Sequence, residues 1–163
     1  MSVLKNRRGL SKLEFYHNAR KLRREITELL LRDFGVRDTV RKAKDESGAA
    51  VSVIDEYPRW LIDEFRGSIT RILRGLMMNI TAGNTIYPVN IGELELRRRY
   101  QTAAIVNCEQ LLQEMQYCGD VLPVSASKFM PYVEAIELEK KLLKGWRKAN
   151  SKINTKLSGD AEK

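Results

Sequence analysis

The chain has 163 residues, with 29 Lys and Arg against 21 Asp and Glu and a formal net charge of +8. That length suits one domain with a useful core, and no apolar run approaches the ~20 residues that cross a bilayer. A single histidine and two cysteines exclude a multi-histidine metal centre and a disulfide-stapled scaffold.

Residues 1–10 read as a basic arm carrying Lys5, Arg7 and Arg8, with no apolar segment behind them to act as a signal peptide. A cytoplasmic location is the expectation. A first helix is predicted over about 11–35. Ser11 and Glu14 have the spacing of a capping box, and Phe15, Ala19, Leu22, Ile26 and Leu29 recur at four-three spacing on one face. Gly35 is placed to end it. Helical spacing then disappears between Val36 and Tyr57. Lys44 to Gly48 looks like an exposed turn, and Val51 and Val53 alternate with polar neighbours. The segment is either a short β-hairpin or an extended loop.

A second helix, about 58–83, opens at Pro58, whose missing amide proton costs nothing there. Its predicted apolar stripe is Leu61, Phe65, Ile69, Ile72, Leu76 and Ile80, with Arg59, Asp63, Arg66, Thr70 and Arg74 opposite and Gly83-Asn84 as terminator. A third, about 91–118, is capped by Asn90 with Glu93 three residues on, and buries Leu94, Ala104, Cys108, Leu111 and Met115, with Tyr100 and Leu112 alongside. Cys108 and Cys118 lie too far apart along it to pair and read as reduced core or interface residues. A fourth, about 126–153, turns Phe129, Tyr132, Ile136, Leu143 and Trp146 inward and tolerates Pro131 in its first turn. Residues 155–163 carry no pattern and are expected to fray. Four amphipathic helices with this spacing predict an all-α chain, an antiparallel four-helix bundle over 11–154 with a long loop or short hairpin between helices 1 and 2.

The chemistry of an active site is missing. His17 has no second histidine beside it, and no Gly-rich phosphate loop is present. Acid neighbours such as Asp63-Glu64 and Asp55-Glu56 are one residue apart, so on a helix they diverge. A non-enzyme, with no cofactor and no metal, is expected.

Cations instead fall in clusters. In helix 4, Lys140, Lys141, Lys144, Arg147, Lys148 and Lys152 lie within about 140° of arc at ~100° per residue, a basic stripe away from the apolar face. Cations near a helix C-terminus also offset the macrodipole, with Glu134 and Glu137 at the other end. Arg97, Arg98 and Arg99 subtend about 200°, so at least one is expected between helices or subunits, bound to phosphate or to a structural carboxylate. Helix 1 adds Arg20, Arg23 and Arg24. Patches of this kind suit phosphate backbones, and without interleaved aromatics they predict shape and phosphate recognition rather than base readout.

The run from Arg97-Arg98-Arg99-Tyr100-Gln101 to Leu111-Leu112, and the closing Leu142-Leu143-Lys144-Gly145-Trp146-Arg147-Lys148, resemble the accessory variability determinant (Avd) proteins of diversity-generating retroelements. That four-helix-bundle family is related in fold to ribosomal-RNA intervening-sequence proteins. The long connection from Val36 to Tyr57 departs from the family's usual short first loop. The resemblance implies a homo-oligomer, a pentameric barrel, that associates with a reverse transcriptase and its structured template RNA, with cDNA or DNA as the alternative nucleic acid, to support mutagenic cDNA synthesis. It implies no catalytic site of the chain's own, and puts Met77, Met78, Cys108 and Met115 in core or subunit contacts. A generic RNA-binding or ribosome-associated bundle and a purely protein-interacting bundle are the rival readings.

Overall fold

The computed structural model describes residues 13–161. Helix α1 spans Glu14–Leu31 and buries Phe15, Ala19, Leu22, Ile26, Leu29 and Leu30, the four-three stripe of the sequence with one residue added. Leu13 occupies the cap position without a side-chain bond; Ser11, half of the expected capping box, lies outside the described residues. The helix stops before Gly35, because Asp33, Phe34 and Gly35 are all left-handed, with φ of 52°, 58° and 80°. Only glycine adopts that conformation cheaply, and the two others cost about 1–2 kcal/mol each. Burial offsets that cost. Phe34 is fully buried and meets Phe65 edge-on at 5.8 Å, and Asp33 pairs with Arg59 at 2.8 Å and with Arg66.

The open segment between the first two helices is a hairpin. Strands β1 (Thr39–Lys44) and β2 (Ala50–Asp55) pair antiparallel from Thr39↔Asp55 to Lys44↔Ala50. In the turn, Asp45 Oδ1 accepts from the Ser47 and Ala49 amides, both at 2.9 Å, and Gly48 takes φ +84°. The strands pack chiefly on each other, so their residues remain exposed or half-buried. Their base is tied to the bundle by Asp38, which accepts from the Tyr57 amide and pairs with Arg59.

Helix α2 (Arg59–Thr85) buries Ile62, Phe65, Ile69, Leu73, Leu76, Ile80 and Gly83. The predicted stripe names Leu61 and Ile72, which are only half-buried; their neighbours Ile62 and Leu73 take the core positions. A helix packed on two partners buries a wider arc than one stripe, and the choice between adjacent apolar residues falls to tertiary packing. Gly83 does not end the helix, which runs two residues further. A Cβ there would lie 2.9 Å from Trp146 Cη2 and 3.3 Å from Tyr100 Cβ, so the glycine admits the indole.

Helix α3 (Ile91–Val121) starts as the sequence predicts. Asn90 Oδ1 accepts from the Glu93 amide at 2.9 Å, and Glu93 Oε2 accepts from the Val89 amide at 2.9 Å. Cys108 and Cys118 are free and buried. After a short 3₁₀ turn at Ala126–Lys128, helix α4 runs Met130–Ala161, with Pro131 in its first turn and continuing past the residue-154 limit read from the sequence.

Helix α2 packs on α3, α3 on α4, α4 on α1 and α1 on α2. The pairings run in opposite chain directions. Phe15 stacks on Trp146 while Asn18 bonds Glu139; Asn79 bonds Asn107 while Gly83 faces Tyr100; Glu109 meets Lys140 while Gln101 meets Asn150. Neighbouring helices are thus antiparallel around one core, and Met115 and Cys108 belong to it, whereas Met77 is half-buried and Met78 exposed.

Candidate nucleic-acid interface

The twelve cations singled out from the sequence meet different fates. On α1, Arg20, Arg23 and Arg24 are exposed and line a shallow groove of about 540 Å³ against α2, with Tyr16, Thr27, Met77 and one acid, Glu28, which pairs with Arg32. Arg20 lies over the Tyr16 ring at 5.9 Å, which orients it without neutralising it. On α3, Arg98 and Arg99 are exposed and border a larger groove of about 800 Å³ between α2 and α3.

Arg97 turns the other way. Its guanidinium lies 5.7 Å from the Trp146 ring centre and donates to the Ile86 carbonyl at 3.4 Å, while its Nε is buried without a partner. Burial pushes its pKa below the ordinary arginine value. It closes the end of the bundle and is a packing residue, which satisfies the expectation that one of the three arginines sits between helices. A cation held this way is not offered to a phosphate.

The α4 stripe is less continuous than the helical wheel suggests. Lys140 is pinned between Glu137 at 2.7 Å and Glu109 at 3.3 Å, and these carboxylates raise its pKa, Glu137 foremost. Its side chain is 14% exposed, so it belongs to the α3–α4 contact rather than to an open basic face. Arg147 is half-buried and donates to Thr102 Oγ1 at 3.2 Å. Lys141, Lys144, Lys148 and Lys152 remain exposed.

Two residues gain weight from the fold. Arg71 and Arg74 are exposed on α2, the helix between the two grooves. Leu30 on α1 lies level with Arg66, and Tyr16 shares a groove with Met77, so the antiparallel register puts Arg71 and Arg74 at the same height along the bundle as Arg20 to Arg24, outside the groove lining itself. The sequence pattern places Arg74 on the outer face and gives Arg71 no mark of its own; their three-residue spacing, one turn of one face, is the signal that links them. Among the described residues of α1, α2 and α3, Arg20, Arg23, Arg24, Arg71, Arg74, Arg98 and Arg99 have no ion-paired carboxylate. Other arginines are paired: Arg32 with Glu28, Arg41 with Asp55, Arg59 with Asp33 and Asp38, Arg66 with Asp33 and Asp63. The surface formed by α1, α2 and α3 therefore carries guanidinium charge that no carboxylate among the described residues neutralises.

Comparison with family models, with curated proteins and with solved structures gives no match. The chemistry must be read from the site.

Among the described residues, no group of three His, Cys, Asp or Glu is placed to hold a metal ion, and no helix is long and apolar enough to cross a membrane. The reactive groups of the core are sealed. Burial pushes the Cys108 and Cys118 thiols up to about 12, which leaves them protonated and poorly nucleophilic near neutrality. Glu139 is fully buried and its carboxyl is pushed up to about 8, chiefly by burial, against an opposing hydrogen bond from Asn18.

Proposed function

We propose that this chain is a non-catalytic nucleic-acid-binding protein that grips a structured RNA through the arginines of α1, α2 and α3. The observation that carries this reading is the set of seven exposed arginines without a carboxylate partner among the described residues, five of which, Arg20, Arg23, Arg24, Arg98 and Arg99, line two open grooves. Guanidinium groups bind phosphate bidentately and are less costly to desolvate than ammonium groups. Guanidinium groups left unneutralised on neighbouring helices repel one another, and a polyanion relieves that repulsion. The exposed lysines of α4, Lys141, Lys144, Lys148 and Lys152, extend the field to another side of the bundle.

The resemblance of residues 97–112 and 142–148 to Avd proteins gives this activity its setting. In that setting the chain is the accessory subunit of a retroelement reverse transcriptase, works as a homo-oligomer of pentameric type, and supports mutagenic cDNA synthesis on template RNA. The non-catalytic role proposed here suits that division of labour. Leu31, Trp60 and Met130 are 76%, 70% and 51% exposed and fall at helix termini on the hairpin end of the bundle, where a protein partner would gain apolar contact.

The test is RNA affinity as a function of salt. The chain should bind structured RNA with log K falling linearly in log salt. Arg20→Glu with Arg24→Glu, and Arg98→Glu with Arg99→Glu, should each weaken binding and flatten the slope by about one for every phosphate no longer neutralised. Lys144→Glu with Lys148→Glu measures the contribution of α4. Weak binding indifferent to which cations are reversed would overturn the reading in favour of a protein-interaction bundle. Co-purification with a reverse transcriptase, and light scattering of the chain with and without RNA, separate the retroelement role from generic RNA binding.

A further inference from the structure

The α2–α3 groove differs in kind from the rest of the basic surface. Its floor is a chain of amides: Asn79 Nδ2 donates to Asn107 Oδ1 at 2.8 Å, and Asn107 Nδ2 donates to Gln110 Oε1 at 3.1 Å. Gly75 makes room for that floor, since a Cβ there would stand 3.2 Å from Asn107 Nδ2. The ladder leaves the Asn79 carbonyl and the Gln110 amino group with capacity to bond a ligand. Ala103 and Val106 give the wall an apolar strip, Val106 being 47% exposed. Arg98 and Arg99 stand along the same wall, one to two turns toward the start of α3, with Glu95 a further turn along, so the two guanidinium groups outnumber the one carboxylate of the groove and leave that end net cationic. Amide donors and acceptors, an apolar strip and nearby guanidinium groups together match a ligand with a planar polar-edged face and an attached phosphate. The volume of about 800 Å³ exceeds what a phosphate needs and lies in the range of small-ligand clefts.

We infer that the α2–α3 groove seats one unpaired nucleotide of the bound RNA, its base against Ala103 and Val106 with its edge on the amide ladder, and its phosphate on Arg98 and Arg99. This rests on the RNA-binding reading and deepens it. The arginines of α1 and α2 hold duplex backbone without regard to sequence, while the groove selects RNA that presents a bulged or looped-out residue. Unstacked bases are the part of an RNA that proteins read most readily, because the A-form major groove is too deep and narrow for side chains. The seat uses aliphatic contact and amide hydrogen bonds in place of the aromatic platforms common in single-strand binders.

The experiment compares the whole chain's affinity for a short RNA duplex and for the same duplex with one unpaired nucleotide, at one salt concentration. The bulged RNA should bind roughly tenfold tighter. Val106→Asp puts a carboxylate in the seat at an exposed position the fold tolerates, and Gln110→Ala removes one end of the ladder. The first should abolish the preference and the second reduce it, with both variants retaining wild-type circular dichroism. The ratio of the two affinities is read, because it cancels the general electrostatic effect of the new charge. Equal affinity of the wild type for both RNAs overturns the nucleotide seat and leaves the RNA-binding reading standing. A preference that survives Val106→Asp also overturns it, by placing the selection outside this groove. Failure to bind either RNA overturns both.

Discussion

Glu139 makes the stability of this bundle a function of pH with a defined sign. Its side chain is fully buried; Asn18 Nδ2 donates to Oε2 at 2.8 Å, and Oε1 has no partner. The carboxyl is pushed from 4.5 up to about 8 by burial, a rise that the Asn18 hydrogen bond only partly opposes. In the unfolded chain the group loses its proton near 4.5, whereas the folded core holds it until about 8. Its stabilising contribution is therefore complete below the unfolded value, declines as pH rises between the two, and is gone above the folded one. At 1.36 kcal/mol per pH unit the interval corresponds to on the order of 4–5 kcal/mol, a large part of the ~5–15 kcal/mol that holds a domain together. Glu139→Gln removes the titration while keeping shape and an oxygen for Asn18. The variant should match wild type within about 1 kcal/mol at pH 4.5, where the amide replaces a protonated acid. It should be more stable by several kcal/mol at pH 9. Urea denaturation followed by circular dichroism at a series of pH values measures both limits. The wild-type minus variant difference cancels every other titrating group that the substitution leaves alone. A difference that stays constant from pH 4.5 to 9 would refute the reasoning, because it would mean that water reaches the carboxylate in the folded state.

Glycine substitutions should divide by what surrounds them. Gly83→Ala drives a methyl to 2.9 Å from Trp146 and should destabilise by about 1–3 kcal/mol despite the better helix propensity of alanine. Gly67→Ala and Gly145→Ala meet nothing within 4 Å in their helices and should stabilise by about 0.5–1 kcal/mol; chemical denaturation of the three variants at one pH checks the reversal of sign. The two cysteine thiols, pushed up to about 12 in the core, should react with a thiol reagent at pH 8 only as fast as the bundle opens, and both should react promptly in denaturant.

What could be read in the sequence, and what could not, follows from how local each signal is. The Asn90 cap is a four-residue statement and appears as the pattern requires, its Oδ1 accepting from the Glu93 amide, while the Glu93 carboxylate reaches one residue further back than a capping box does, to the Val89 amide. The apolar periodicity of α1 gives the buried face almost residue for residue. In α2 the same reasoning slips by one at Leu61 and Ile72, because two apolar residues stand side by side and only the positions of α1 and α3 decide which is covered. Gly83 carries the sequence mark of a helix end, yet it serves a contact with a residue sixty-three positions away, beyond the reach of any local rule. The basic clusters show the limit most sharply. A helical wheel assigns Lys140 to an open stripe and treats Arg97 as the equal of Arg98, but a wheel does not contain the neighbouring helix. Glu137 one turn back on α4 together with Glu109 on α3 neutralises the first, the latter closing it into the helix contact, and Trp146 on α4 draws the second inward. Charge clusters in sequence therefore mark where cations are made, and tertiary neighbours decide which of them stay available. By that criterion Arg71 and Arg74, unremarkable as a pair three apart, rank above Lys140 as candidates to meet a phosphate, and the most informative surface is the one around α2 rather than the more conspicuous lysine run of α4.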